Sequence, residues 1–132
     1  MTEPIPDRFR AGFDRLYGLE ILEVSDERAR AEVKVRDDLR EPSGVVHGGV
    51  YAAIAESLAL SGTAHGAMAD GTVRRGLSHQ TSLLRPVTEG TIHAVAVPKH
   101  RGRTTWVWEV EMTDDDGNLC VLTRITIAVR ER

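Results

Sequence analysis

His47-Gly48-Gly49-Val50-Tyr51-Ala52-Ala53-Ile54-Ala55-Glu56-Ser57-Leu58-Ala59-Leu60 is the stretch whose reading decides the fold of this 132-residue chain. Between Gly48 and Met68 the chain carries a single formal charge, Glu56, in 21 residues. That length invites a membrane-span reading. Its glycines, alanines, serines and Thr63 nevertheless make it far less apolar than a Leu/Ile-rich span. The expectation is a helix from about Gly48 to Met68, buried against protein and ended by Gly66, Asp70 and Gly71.

Working outward, the N-terminal side offers a loop at 37–43 carrying Pro42, preceded by two strands. In one of them, Ala29 to Val35, Ala29, Ala31, Val33 and Val35 alternate with Arg30, Glu32 and Lys34, the pattern of a half-buried strand. The polar turn Ser25-Asp26-Glu27-Arg28 joins it to the other, Leu19 to Val24. Earlier still, Phe9, Phe13 and Leu16 predict a short amphipathic helix over Asp7 to Tyr17, stopped by Gly18. The C-terminal side reads as four strands, roughly Val73 to Leu84, Thr91 to Pro98, Thr104 to Thr113 and Leu119 to Val129. The reversals between them, Pro86 to Gly90, His100 to Gly102 and Asp114 to Asn118, hold the Pro, Gly and Asx residues that turns require. In the third of these strands Trp106, Trp108, Val110 and Met112 form one bulky apolar face. That face must cover something, and the central helix is the only long apolar element available. The fold class is therefore α+β: an antiparallel sheet of about six strands wrapped around one long helix, as a single domain over 1–132 with 1–17 as a helical flank.

Composition narrows the function. With 17 Lys+Arg against 20 Asp+Glu, the net charge of -3 gives no global attraction for a polyanion, so nucleic acid is not an expected partner, and no membrane association is expected either. A single cysteine, Cys120, and an opening Met1-Thr2-Glu3-Pro4 without a basic or apolar leader point to the cytoplasm. Cys120 sits in the apolar run Leu119-Cys120-Val121-Leu122 and reads as a packed thiol rather than a nucleophile. The five histidines, His47, His65, His79, His93 and His100, show no ligand spacing with carboxylates, so no metal is expected. Asp114-Asp115-Asp116-Gly117 lacks the alternating ligands of a calcium loop and reads as a turn.

Glu56 requires an explanation, because a carboxylate buried unpaired in an apolar helix costs several kcal/mol. One explanation is structural: it faces solvent or pairs with Arg74, Arg75 or Arg85. The other is a site in which the carboxylate acts as base or nucleophile. His47-Gly48-Gly49 lies eight residues upstream, where the helix opens and its first amides have no intrahelical acceptor. Glycines there allow close approach of a substrate, and free N–H groups at the positive end of the helix dipole suit a polarised carbonyl.

From about residue 15 to 129 the chain resembles the hotdog-fold acyl-CoA thioesterases of the phenylacetic-acid-degradation (PaaI-like) and 4-hydroxybenzoyl-CoA thioesterase group. The matching text is Gly44-Val45-Val46-His47-Gly48-Gly49 through Glu56-Ser57, then Leu83-Leu84-Arg85-Pro86-Val87, Glu89-Gly90, His100-Arg101-Gly102-Arg103, Trp108-Glu109-Val110 and Asp116-Gly117. The resemblance implies hydrolysis of a CoA thioester to free acid and CoA. The acyl group is either an aryl group such as phenylacetyl or hydroxybenzoyl, or a short or medium chain. It further implies that the Gly48 amide polarises the thioester carbonyl, that His47 binds or orients the thioester, and that Glu56 of the other subunit of a dimer attacks it or activates water. A homodimer, paired further into a homotetramer, follows by the same resemblance, and no cofactor is needed beyond the coenzyme A of the substrate.

Gly49, Ser61, Glu41, Gln80, Arg85, His100, Arg101, Gly102 and Arg103 complete the expected substrate-binding set. The basic run Lys99 to Arg103, read as a hairpin turn alongside Arg85-Pro86, would contact the CoA phosphates. Two positions depart from the group's pattern. Glu41 stands where relatives carry Gln, and Leu60 where they carry Ser or Thr, which suggests that the hydroxyl is displaced to Ser61. A non-catalytic acyl-CoA-binding module and a hotdog hydratase or dehydratase are the alternative readings.

Overall fold

The computed structural model describes residues 12–66 and 72–131. Along the chain run α1 (Phe13–Leu16), β1 (Glu20–Val24), β2 (Ala29–Lys34), a 3-10 turn (Asp37–Leu39), α2 (Gly48–Gly66), β3 (Thr72–Leu83), β4 (Thr91–Arg101), β5 (Thr105–Thr113) and β6 (Leu119–Glu131). The six strands form one sheet in the order β1-β2-β4-β5-β6-β3, and every neighbouring pair is antiparallel. The hotdog architecture expected from the sequence is what the chain adopts. No described helix is long and apolar enough to cross a membrane.

The core lies between α2 and the concave face of the sheet. Ile54, Ala55, Leu58 and Ala59 of α2 are fully buried, as are Trp108, Val110 and Met112 of β5 and Ile125 and Ile127 of β6. Small residues let the helix sit close. A Cβ at Gly62 would stand 2.6 Å from Trp108 Cζ2, and one at Gly66 would stand 2.5 Å from the Trp106 ring. Trp108 brings a polar atom into this core and satisfies it: its Nε1–H donates to Thr63 Oγ1 (2.8 Å), whose own hydroxyl donates to the Ala59 carbonyl (2.8 Å). Buried polar groups paired in this way cost little. Cys120 is buried too, its thiol donating to the Asn118 carbonyl, and burial pushes its pKa up, as the packed-thiol reading requires.

Two sequence expectations change, and a third reaches beyond the described residues. The 3.6-residue spacing predicts a helix over Asp7 to Tyr17, but only Phe13–Leu16 is helical within the described residues, and Phe9 lies outside them. Phe13 and Leu16 are 65% and 72% exposed, whereas the inward residue is Tyr17. The strand ending at Pro98 instead continues to Arg101, because a register shift between Pro98 and His100 absorbs the missing proline N–H, and the reversal shrinks to the residues around Gly102, whose N–H bonds the Thr105 carbonyl. The Lys99 to Arg103 run is thus mostly strand, not turn. Finally, α2 is described to Gly66, and its expected last residues, Ala67 and Met68, lie outside the described residues.

Candidate active site

α2 opens at Gly48 because His47 caps it. The His47 Nδ1 accepts the Gly49 N–H at 2.8 Å, and the His47 carbonyl accepts the Val50 N–H at 3.0 Å. An acceptor role for Nδ1 places the proton of a neutral imidazole on Nε2. This capping contact leaves Nε2–H, on an exposed ring, without an acceptor among the described residues and able to donate outward. With Gly49 occupied, the Gly48 N–H has no acceptor among the described residues and sits at the positive end of a 19-residue helix. A Cβ on Gly48 would stand 3.3 Å from Leu83 Cδ1, so this end of the helix lies against the end of β3.

Two turns further on, Glu56 is on the exposed side of α2 and reaches over β3, where a Cβ on Gly76 would stand 2.7 Å from its Oε1. Among the described residues it has no ion pair, and neither Arg74, Arg75 nor Arg85 meets it. The structural explanation by an arginine partner is therefore absent. Gly76 itself was missed in the sequence. Its signal is a glycine inside a strand, which marks a close approach of another group. Among the described residues β3 has only β6 beside it, which leaves its other edge open, and most of its residues are exposed.

The loop before α2 is braced by Glu41. Its Oε1 accepts both the N–H and the hydroxyl of Ser43, its carbonyl accepts the Gly44 N–H (2.9 Å), and Gly44 takes the left-handed conformation that the turn demands. The Ser43 hydroxyl holds the Glu41 carboxyl below its ordinary pKa, and the nearby His47 acts in the same direction.

Other predicted positions fall elsewhere. Ser61 does not supply the hydroxyl missing at Leu60: it is buried, and its Oγ donates to the Ser57 carbonyl (2.7 Å), because one extra residue turns the side chain about 100° round the helix, inward. Gln80 pairs with Arg124 on the outer face of the sheet, with Ser82, Glu109 and Leu122 along the same shallow groove, and so faces away from α2. The basic residues separate as well. Arg85 follows β3 at the end of the sheet where α2 begins, its N–H bonding the Cys120 carbonyl. His100, Arg101, Gly102 and Arg103 lie at the opposite end, where Arg101 pairs with Asp26 (3.3 Å) beside the last turn of α2. Antiparallel pairing across β3, β6, β5 and β4 imposes this separation, so the expected single patch does not form within one chain. Lys99 pairs with Glu109 at 3.8 Å. Both pairs are at least partly exposed and cost little to break.

A second polar cluster adjoins Glu56. Asp14 Oδ1 accepts the Ser57 hydroxyl at 2.5 Å and the Tyr17 hydroxyl at 2.8 Å, tying α1 to α2. Nothing in the local pattern announces it, since Asp14 and Ser57 are 43 positions apart.

Residues 43–121, well over half of the chain, match the Thioesterase superfamily. The 1,4-dihydroxy-2-naphthoyl-CoA hydrolase of Listeria monocytogenes is 33% identical over 121 residues, covering 92% of this chain and 98% of that protein. Among solved structures, a thioesterase of Haemophilus influenzae superposes with a TM-score of 0.87 at 28% identity, covering 95% of this chain and 87% of that one. A mutant of the phenylacetic acid degradation protein PaaI from Thermus thermophilus superposes with a TM-score of 0.79 at 26% identity over 88% of this chain and 96% of that one. The sheet wrapped round α2 agrees with these similarities, and the chain belongs to the thioesterase superfamily as a hotdog-fold thioester hydrolase.

Proposed function

We propose that the protein hydrolyses acyl-CoA thioesters in a site shared by two copies of the chain, with the Gly48 amide of one and Glu56 of the other. The observation that carries this reading is where the two groups lie. Eight residues of helix rise separate them by about 12 Å, too far to meet at one carbonyl. Yet Gly48 abuts Leu83 and Glu56 overlies Gly76, near the two ends of an open strand edge. An antiparallel pairing of β3 with its own copy, about a two-fold near His79 and Gln80, would bring Gly76 of one chain beside Leu83 of the other. Such pairing also covers an edge that would otherwise invite aggregation, together with the exposed Leu77, Leu83 and Leu84.

In the reaction, the Gly48 N–H donates to the thioester carbonyl oxygen and stabilises the charge that develops there. His47 Nε2–H borders the same opening as a second donor. The Glu56 carboxylate either adds to the carbonyl carbon itself or takes a proton from the water that adds. The C–S bond then breaks, coenzyme A leaves as thiolate and takes up a proton, and the acid is released. In the first case an anhydride with Glu56 forms and water cleaves it. Leu60 and the inward Ser61 offer no hydroxyl one turn beyond Glu56 to orient that water, and the Ser57 hydroxyl is engaged by Asp14, which favours direct attack by Glu56.

The acyl group is aryl, or a short or medium chain, and the named activity of the Listeria relative supports including bulky aryl groups. Across the two-fold, Arg85 of one chain and the Arg101 to Arg103 segment of the other come to the same side, which supports a phosphate-binding role for both. The assembly is a dimer through β3, paired again into a tetramer, in the cytoplasm. The test is thiol release: Glu56→Gln should lose nearly all turnover while keeping the assembly, and undiminished release would sink the reading. Single turnover in heavy-oxygen water tests direct attack: label left in Glu56 requires an anhydride that water cleaves at the glutamyl carbon, whereas water activated by Glu56 puts the label in the acid alone.

A further inference from the structure

The face of β3 that looks toward α2 is marked at three places. A Cβ on Gly48 would stand 3.3 Å from Leu83 Cδ1, Thr81 Oγ1 lies 3.1 Å from Oγ1 of the buried Thr123, and Gly76 lies beneath Glu56. Side chains alternate along a strand, so His79 shares that face with Thr81 and Leu83, opposite the buried Ile125 of β6. The register shift between Gly76 and Ser78 skips Leu77 and returns Gly76 to the same face. His79 is thus the helix-facing residue next to Gly76, one step of about 7 Å along the strand. It is exposed, and among the described residues it makes no hydrogen bond or ion pair.

Direct attack leaves a chemical need that Glu56 cannot meet. Once its carboxylate is bound in the anhydride, another group must take the proton of the water that cleaves it. His47 is ill suited, because its Nδ1 accepts the Gly49 N–H and its Nε2 therefore carries the ring proton. Neither ring nitrogen of His79 is bonded among the described residues, and imidazole is the side chain that exchanges protons near neutral pH. With β3 paired to its copy so that Gly76 lies beside Leu83, the next helix-facing pair joins His79 to Thr81 of the other chain. His79 then borders the site that holds Glu56 of its own chain and Gly48 of the other. The charged or titratable groups facing it are Glu56 from α2, Arg74 from beyond Gly76 and the second copy's His79. On that face β6 offers only Thr123, Ile125 and Ile127.

We propose that His79 is a further catalytic residue, the base that takes the proton from the water cleaving the Glu56 anhydride. As the water oxygen bonds one anhydride carbonyl carbon, its O–H bond breaks and the proton passes to a ring nitrogen of His79. The bond from that carbon to the bridging oxygen then breaks, the electron pair leaving with the oxygen, and Glu56 and the free acid part as two carboxyl groups. His79 returns its proton to solvent. The inference rests on direct attack by Glu56.

The test is rapid-mixing thiol release from the full chain, with whichever of octanoyl-CoA and phenylacetyl-CoA turns over faster. His79→Gln should release a burst of about one thiol per site at the native rate, then turn over about a hundredfold more slowly. The fall of its steady-state rate at acid pH should move toward the carboxylate range. Added imidazole should restore part of the steady-state rate of His79→Ala, a rescue that a merely structural role would not give. Burst and steady state are compared on one preparation, so the fraction folded or paired cannot imitate the result. A steady-state rate unchanged in His79→Gln, or an equal loss in both phases, overturns the proposal. Thiol release that survives Glu56→Gln overturns the assignment of Glu56 instead.

Discussion

The Glu56 carboxylate overlies Gly76, so closely that a Cβ on that glycine would stand 2.7 Å from Oε1. Gly76→Ala should push the carboxylate aside without touching its charge. A displacement of about 1 Å at a reacting group costs about a hundredfold in rate. The expected outcome is a fall of that order in kcat with an unchanged oligomer on gel filtration; an unaltered kcat would mean that the glycine does not position Glu56.

Sharing of the site between two chains can be tested by mixing. Gly48→Pro deletes the amide at the first helical position, which proline tolerates, and Glu56→Gln deletes the carboxylate. Each variant alone should be inactive. Dissociated and reassociated together, they should recover about a quarter of the wild-type rate, since half of randomly formed dimers are mixed and each holds one intact site. No recovery would place both groups in the same chain.

The brace at Glu41 predicts a pH effect of defined sign. The Ser43 hydroxyl lowers the carboxyl pKa from its ordinary 4.5. In the acid range below 4.5 the unfolded chain then binds the proton more readily than the folded one, so the brace contributes fully above that value and is lost as pH falls through the lowered one. Carboxyl NMR should show Glu41 titrating below an ordinary glutamate, and returning toward it in Ser43→Ala.

Helix and sheet meet without slack at Trp108. Gly62→Ala forces a methyl to 2.6 Å from Cζ2 of the indole, and overpacking of this kind destabilises by about 1–3 kcal/mol. Urea unfolding followed by tryptophan fluorescence should report a lowered midpoint with little change in slope.

Burial of Cys120 makes its thiol a poor nucleophile. The native protein should react with a thiol reagent only at its unfolding rate, and at once in denaturant.

The sequence by itself determined the elements that depend on short-range periodicity. One charge in 21 residues marked the central helix, alternation at Trp106, Trp108, Val110 and Met112 marked the sheet face that covers it, and glycines at a helix start marked an amide open to a carbonyl. Each follows from contacts within a few residues or from a period of 2 or 3.6. Tertiary structure decided what depends on elements distant in sequence. Strand order placed β3 at an edge, sent Arg85 and the Arg101 to Arg103 segment to opposite ends, and laid Glu56 over Gly76. One residue of helical phase turned Ser61 into the core. Asp14, which no spacing rule connects to Ser57, became its partner only because the chain returns α1 to the side of α2. A helix separates Gly48 from Glu56 by a fixed rise. The pair is therefore legible as two halves of a chemistry, while the means of joining them lies in the open edge of β3.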